Sequence, residues 1–353
     1  MITKNKKHLK LNKMISTKAI LSIGFCIGLL TNVTAQQDKH FSMFATSKVQ
    51  SNPAAAGFFH GDYQFFTNFR NQWAGVSDQA FNTISASFDT RFETGNGFIG
   101  TGINFYNDVA GDSKYTVTQI TIPINYAIEL SRTNRIAIGL APSYYQRSFK
   151  NTAVSWDNQW TGIAFNTGLN NGENIAAQNL SVGKFDLNAG LFWQGSFSKT
   201  SWLGIGVSGQ HLTKQKINYF TDVNGLYRKL ILSAYGNFNQ QGSDFTLRPN
   251  FTSFIQGPNR MFVLGSGFDY KIKGDSRHTA YNKRTSIELG LYTRVGDAII
   301  INTLFHMAGL TVGASFDFNA FSLGQNTQGI GAMEFLLAYK LSNPRGLGAP
   351  SIH

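Results

Sequence analysis

The sequence predicts an all-β protein, a transmembrane antiparallel β-barrel of the outer membrane with about 14 strands. Three observations lead to this fold class. Segments in which apolar and polar residues alternate recur along the chain. Glycine and aromatic residues are abundant, with 36 Gly, 30 Phe and 13 Tyr, while charged residues make up only 14%. An export signal precedes the first alternating segment. Composition alone would also suit a secreted array of β-sandwiches, so that alternative stays open at this point.

The last hairpin of the chain, Leu310 to Leu341, shows the alternation most clearly. In its second limb, Phe335, Leu337 and Tyr339 occupy one face, which we expect to meet lipid. The other row contains Leu336 and is expected to line a polar lumen, so an arginine should be tolerated better at 336 than at 337. Because lipid cannot satisfy the backbone groups of an open sheet edge, this last strand is expected to close the barrel.

The first 35 residues are predicted to be a signal peptide. Six lysines precede or enter an apolar run over residues 19–30, and a small-residue site places cleavage between Ala35 and Gln36. Removal of these lysines takes the net charge from +12 to +6, and the remaining basic residues form no cluster of the kind that binds nucleic acid. The single cysteine, Cys26, lies in the same segment, so the mature chain is expected to contain no disulfide.

The mature chain is divided into three parts. Residues 36–61 lack a clear period and are predicted to form a lead-in segment that tucks into or under the barrel. Residues 62–341 form the barrel, and residues 342–353 form a C-terminal tail. An even number of strands places both ends of the barrel in the periplasm, with Lys150–Val182 as the longest outer loop and Lys273–Asn282 as an inner connection. The predicted strands are Asp62–Trp73, Ala80–Phe92, Gly97–Asn107, Tyr115–Glu129, Arg135–Phe149, Gly183–Phe197, Trp202–Leu212, Leu226–Phe238, Ser243–Ile255, Arg260–Ile272, Lys283–Arg294, Ala298–His306, Leu310–Phe318 and Ile330–Leu341.

No catalytic, cofactor-binding or metal-binding motif stands out in the sequence. The run from Gly204 to Gly209 has the spacing G-x-G-x-x-G, but it lies inside an alternating segment, whereas a dinucleotide site needs a strand-to-helix turn. The histidines do not pair with one another, or with Asp or Glu, at helical metal-ligand spacing. A lipid hydrolase whose site is assembled across neighbouring strands would leave no motif, so that alternative stays open.

The tryptophans divide into two groups. Trp73, Trp193 and Trp202 lie near predicted strand ends, where an interfacial aromatic belt is the simplest explanation. Trp156 and Trp160, together with Phe165, lie in the long outer loop, beyond the expected membrane. Exposed aromatic residues of this kind are candidates for partner binding. The alternative is that both indoles pack onto the barrel mouth and order the loop.

Five blocks in a fixed order carry a family resemblance. They are Gln37 to Phe44; Asn52-Pro53-Ala54-x-x-Gly57; Phe69-Arg70-Asn71-Gln72-Trp73 followed by Ser85 to Asp89; Tyr292 to Ala298 followed by Phe316-Asp317-Phe318; and Glu334 to Leu341. Together they resemble the PorP/SprF family of the Bacteroidetes type IX secretion system. The family commonly ends in Tyr, a basic residue and Phe, and Leu341 stands here in place of that Phe.

The resemblance implies a barrel of the cell outer membrane without enzymatic activity or cofactor. Family members support secretion or surface attachment of type IX substrates, including gliding adhesins that carry a C-terminal sorting domain. The expected partner is therefore one such secreted surface protein, and periplasmic components of the machinery are a second expected contact. The alternative function is a passive channel for small solutes, which lumen-facing rows rich in Gly, Ser, Asn and Thr would also allow.

Overall fold

The computed structural model describes residues 38, 40–72, 81–111, 114–149, 155–170, 172, 180–214, 226–274, 284–320 and 329–341. All of them belong to one compact unit, Asp38–His353. The predicted cleavage site at Ala35 and Gln36, the tryptophan Trp73 and the predicted tail 342–353 lie outside the described residues. None of the helices in the described part of the chain is both long and apolar enough to cross a membrane.

The described residues form fifteen strands in a single antiparallel sheet. The strands are β1 Tyr63–Gln72, β2 Phe81–Thr94, β3 Gly97–Ala110, β4 Tyr115–Thr121, β5 Ile124–Ser131, β6 Asn134–Phe149, β7 Leu180–Ser196, β8 Trp202–Gln210, β9 Lys229–Asn239, β10 Phe245–Gln256, β11 Asn259–Lys273, β12 Thr285–Arg294, β13 Ala298–Met307, β14 Leu310–Asn319 and β15 Ile330–Leu341. In the described part of the chain, two short helices precede β1, the α-helix α1 over Lys48–Ser51 and a 3-10 helix over Pro53–Ala55.

The sheet closes into a barrel because β1 pairs with β15 along its whole length. Both β4 and β5 pair with the same two neighbours, β3 and β6. They are therefore two halves of one crossing, and the barrel has 14 crossings, which confirms the predicted fold and strand number. The interruption falls at Pro123, which has no N–H group to donate to the ladder.

Both ends of the barrel chain lie at the same rim, since Tyr63 is paired with Leu341. Short connections such as Gly95–Asn96 and Ala308–Gly309 lie at this rim, and the longest connection lies at the opposite one. In outer-membrane barrels the short turns face the periplasm and the long loops face the outside. The rim at Tyr63 is therefore called the inner end, and the opposite rim the outer end.

The predicted faces of the last strand are confirmed, but the predicted polar lumen is only partly right. Phe335, Leu337 and Tyr339 are exposed on the outer surface, and Leu336 points inward. Leu336 is buried against Met43, a residue of the lead-in segment, and large apolar side chains also point inward elsewhere. The interior is thus packed rather than lined only by polar groups.

Several predicted boundaries were off by two or three residues, including the end of β3, which lies at Ala110 and not at Asn107. Strand β9 begins at Lys229, not at Leu226, and β7 begins at Leu180, so the end of the predicted loop Lys150–Val182 already belongs to the sheet. Cross-strand pairing with β6 extends the outer end of β7 by three residues, which the side-chain alternation had not indicated, whereas the outer end of β6 lies at Phe149 as predicted.

Candidate functional site: the luminal plug and the outer loop

The lead-in segment lies inside the barrel and runs along its length. At the outer end, the backbone N–H of Asp38 donates to Gln256, the last residue of β10, at 2.9 Å. Near the inner end, the N–H of Gly57 donates to Asp89 at 2.9 Å, and the N–H of Asp62 donates to the carbonyl of Leu341. We call the described residues of 38–61 the plug.

The centre of the plug is a compact turn built by Asn52 and Pro53. The Asn52 side chain accepts a hydrogen bond from the Ala54 N–H at 2.9 Å, which caps the 3-10 helix that begins at Pro53. Its amide donates to the carbonyl of Leu191 in β7 at 2.8 Å. The Asn125 amide, on β5, donates to the carbonyls of Ala54 and Ala56 at 3.0 and 2.7 Å.

Gly57 ends this turn in the left-handed region, with φ of +78°. A side chain there would be strained, and its Cβ would lie 2.9 Å from the Cβ of Arg91. The family block that contains Asn52, Pro53 and Gly57 therefore encodes the shape of the plug and its hydrogen bonds to the barrel wall.

Glycines of the barrel wall make room for this turn. A Cβ at Gly190 would lie 2.0 Å from the Asn52 side-chain oxygen, and a Cβ at Gly139 would lie 2.5 Å from the Ala54 nitrogen. A Cβ at Gly206 would meet the Asn52 amide at 2.6 Å. Gly206 belongs to the G-x-G-x-x-G run, which is part of strand β8 and not a strand-to-helix turn. The run thus serves close packing against the plug.

A buried charge cluster holds the plug nearer its outer end. Arg70 donates to Asp317 at 3.0 Å and to Glu334 at 2.5 Å, and Arg294 donates to Asp317 at 2.9 Å. The two carboxylates also bind the plug. Glu334 accepts the backbone N–H groups of Ser42 and Met43, and Asp317 accepts the Ser42 hydroxyl at 2.7 Å. We call Arg70, Arg294, Asp317 and Glu334 the clamp.

Each charge of the clamp has a partner of opposite sign, which buried ions need. Desolvation is costly for such groups, so loss of one partner leaves an uncompensated buried charge. Family motif residues Arg70 and Asp317 meet here. Asn71 directly follows Arg70, and Phe316 directly precedes Asp317. Because neighbouring residues of a strand point to opposite faces, Asn71 and Phe316 face the other side of the sheet and do not join the clamp. Asn71 donates to Asn82, and the Phe316 ring packs against Phe318.

Lys48 of helix α1 is held by aromatic rings in the inner half of the barrel. Its ammonium nitrogen lies 4.2 Å from the ring centroid of Trp202 and 5.6 Å from that of Tyr235. It also donates to the carbonyl of Phe58 at 3.4 Å. Trp202 was predicted to join an interfacial belt, and that prediction was wrong. Trp202 lies two residues before Gly204 and so on the same face of β8, which points into the lumen.

The described part of the outer loop, 155–170, is ordered by its own contacts. The side chain of Gln159 is buried, accepts the Trp156 N–H at 3.1 Å and donates to the carbonyl of Leu169 at 3.2 Å. The rings of Trp160 and Phe165 pack together with centroids 5.0 Å apart, and both remain half-exposed. Together with Asp157 they border a shallow cavity of about 430 Å³. Ile163, at the tip, is 91% exposed.

The loop therefore presents an apolar surface held on an internal scaffold. Trp160 and Phe165, which the sequence singled out, are brought together. Trp156 instead caps the short 3-10 helix Asp157–Gln159 and is half-buried. Ile163 was missed, because an isolated isoleucine in a loop carries no pattern. In the described residues, no group of three or more His, Cys, Asp or Glu side chains is placed to hold a metal ion.

Comparison with known protein families identifies the family of this chain. The family model described as type IX secretion system membrane protein PorP/SprF matches residues 33–339. No curated protein has a sequence that matches this chain.

Solved structures with a similar arrangement include two toluene transporters and a FadL homologue. One is the toluene transporter TbuX of Ralstonia pickettii, with 9% identity and a TM-score of 0.48 over 84% of this chain and 93% of that one. Another is the Pseudomonas putida toluene transporter TodX, with 9% identity and a TM-score of 0.42 over 86% and 94%. The third is a Pseudomonas aeruginosa FadL homologue, with 11% identity and a TM-score of 0.44 over 82% and 92%. By its family match over most of its length and its closed barrel, the chain belongs to the PorP/SprF family of type IX secretion membrane proteins and is a barrel of the outer membrane.

Proposed function

We propose that this protein is a non-enzymatic barrel that supports the secretion or surface attachment of one cognate type IX substrate, a surface protein with a C-terminal sorting domain such as a gliding adhesin. The family match supports the secretion role. The observation that carries the specific role is the ordered outer loop with Trp160, Ile163 and Phe165 exposed at its tip.

The plug argues against the passive-channel alternative. Between Asp38 and Asp62 it is hydrogen-bonded to the wall near the outer end, at the centre and near the inner end. A solute pore would have to break these contacts, and also the hydrogen bonds from Ser42 and Met43 to the buried carboxylates of the clamp. The client protein is therefore proposed to meet the barrel at its ends rather than to pass through it.

The outer loop has the properties of a recognition surface. Aromatic anchors held rigidly lose little side-chain entropy on binding, and truncation of such anchors often costs about 2 kcal/mol or more. The Trp160 ring rests on Phe165 of its own loop, so its exposed half is available to a partner. This arrangement favours partner binding by Trp160 over the alternative in which it packs onto the barrel mouth.

The test is surface display of the cognate secreted protein in cells that carry loop variants. Ile163→Ser and Trp160→Ala should each reduce display, while the barrel remains folded and heat-modifiable on a gel. Ile163 is the cleaner position, because a side chain that is 91% exposed contributes little to the fold. Leu130→Ser is the matched control, since Leu130 is an exposed apolar residue near the inner end. Normal display in both loop variants would remove the loop from the mechanism.

A further inference from the structure

A second buried charge cluster, separate from the clamp, binds the first described residue of the plug. His211 follows the last residue of β8 and is 1% exposed. Its Nδ1 lies 2.6 Å from a carboxylate oxygen of Asp186, and its Nε2 lies 2.8 Å from a carboxylate oxygen of Asp38. Because both partners are acceptors, both ring nitrogens must donate, so the ring is an imidazolium. We call Asp38, Asp186 and His211 the latch.

Further contacts complete the latch around Asp38. The Lys229 ammonium lies 3.8 Å from its carboxylate, and the Gln256 amide donates to the same oxygen at 3.1 Å. His211 itself has a φ of +58°, a conformation that few residues other than glycine adopt. Its backbone N–H donates to Asn188 at 3.2 Å, which holds this conformation. Strain of this kind persists only where the surroundings fix it, and it often marks a functional position.

Between the latch and the clamp, the plug covers an aromatic recess. The Phe41 ring packs edge-on against Tyr106 with centroids 6.0 Å apart. Tyr106 packs with Tyr115, Tyr145 and Leu226 near the outer end of the barrel. The hydroxyl of Tyr106 is buried and has no hydrogen-bond partner among the described residues. Residues 38, 40 and 41 form no helix or strand, so the side-chain contacts of Asp38 and Phe41 help to fix their position.

We propose that the outer part of the plug, Asp38, His40 and Phe41, is a lid that the latch closes and that opens independently of the clamp. The latch lies on β7 and at the end of β8, while the clamp lies on β1, β12, β14 and β15, so the two clusters share no residue and no strand. Opening of the lid uncovers the tyrosine recess to the cell surface, while Ser42 remains bound to Asp317 and Glu334.

The experiment uses single engineered cysteines, because the sequence has one cysteine, Cys26, within the predicted signal peptide. His40→Cys reports on the lid and Thr46→Cys reports on the plug beyond the clamp. Intact cells are treated with a membrane-impermeant maleimide, with and without His211→Asn. Asparagine tolerates a positive φ, so this change removes the imidazolium and keeps the backbone. Loss of a charge-assisted hydrogen bond should raise labelling of His40→Cys about tenfold, and labelling of Thr46→Cys should not change.

Three results would overturn the proposal. Labelling of His40→Cys that is complete with His211 in place would mean that no latch operates. Labelling that stays low after His211→Asn would mean that other contacts hold the lid. A parallel rise at Thr46→Cys would mean that the plug leaves as one body. Heat-modifiability on a gel shows that each barrel is folded. If His211→Asn fails this check, Asp38→Asn replaces it, because it weakens the latch from the plug side and leaves the bond from His211 to Asp186 intact.

Discussion

At the scale of single residues, the clamp gives a structural role to Arg70 and Asp317, two residues of the predicted family motif. Arg70 is buried with two carboxylates that also bind the backbone and side chain of the plug. Its replacement would therefore leave two negative charges in the interior with only Arg294 beside them. The sequence indicated that Arg70 and Asp317 match the family, but their contact spans 247 positions and no local pattern encodes it.

We predict that Arg70→Ala lowers the free energy of unfolding by about 3–5 kcal/mol, since it breaks a buried ion network by removing one partner. The measurement is a urea titration of the refolded barrel, followed by the gel mobility of folded and unfolded forms. Asn71→Ala is the matched control on the same strand, because Asn71 faces the other side of the sheet, and a change within about 0.5 kcal/mol is expected. Equal losses in the two variants would contradict the role of the clamp.

A second residue-scale prediction concerns pH. Burial by itself would lower the pKa of His211, but the charge of Asp38 and the hydrogen bonds from the ring to Asp186 and Asp38 outweigh it and raise the pKa to about 9. Burial likewise opposes the charged form of Asp38, yet His211 and Lys229 hold its pKa below the usual range.

A histidine whose pKa is raised on folding stabilises the protein fully below its unfolded value, near 6.5, and loses that contribution as the pH rises through the folded value. Labelling of His40→Cys should thus increase between pH 7 and pH values above about 9. The ratio to labelling in the His211→Asn background at each pH corrects for the reactivity of the thiol itself. A ratio that does not change with pH would show that the charge of His211 does not hold the lid.

At the scale of elements, alternation predicted the strands well because each strand has two different environments. The last strand was predicted with the observed bounds, Ile330–Leu341. In this strand Phe335 and Leu337 face outward and Leu336 faces inward, as expected. The plug was predicted only as a non-periodic lead-in. Its path depends on contacts with distant strands, such as those of Asn52 with β7 and β8, which leave no period in the sequence.

This difference changes the expectation for the inward row of β15. The sequence predicted that position 336 would tolerate an arginine better than position 337, on the assumption of a polar lumen. Leu336 instead belongs to a buried apolar cluster with Met43 and Phe66. We predict that Leu336→Ala lowers the free energy of unfolding by about 2–4 kcal/mol, as for other buried leucines, and that Leu337→Ala costs less because lipid fills the space. A urea titration that ranks Leu337→Ala as the more damaging change would contradict the packing role of Leu336.

At the scale of the whole molecule, the direction of the plug constrains assembly. The chain passes from Asp38 at the outer end through the lumen to Asp62 at the inner end, and only then enters β1. The barrel is sealed by the pairing of β1 with β15, the first and last strands of the sheet. If the segment begins in the periplasm after cleavage of the predicted signal peptide, it must be in place before this seal forms, and the barrel closes around it.

This order predicts what an addition in front of Asp38 will do. A short unstructured epitope placed there, after the predicted signal peptide, should pass through with the plug and be detected by antibody on intact cells. A folded domain at the same position should block assembly, because it is wider than the lumen. The plug already fits the lumen so closely that glycines are needed in the wall beside it. The gel mobility of the folded barrel measures assembly in both cases. The same folded domain inserted at Ile163, in the outer loop, is the control for effects of the domain on export that do not depend on its position. The contrary result would be a fully folded barrel with the domain fused before Asp38 still in the periplasm. That result would mean that the barrel can close before Asp38 reaches the outer end, which contradicts the proposed order of assembly.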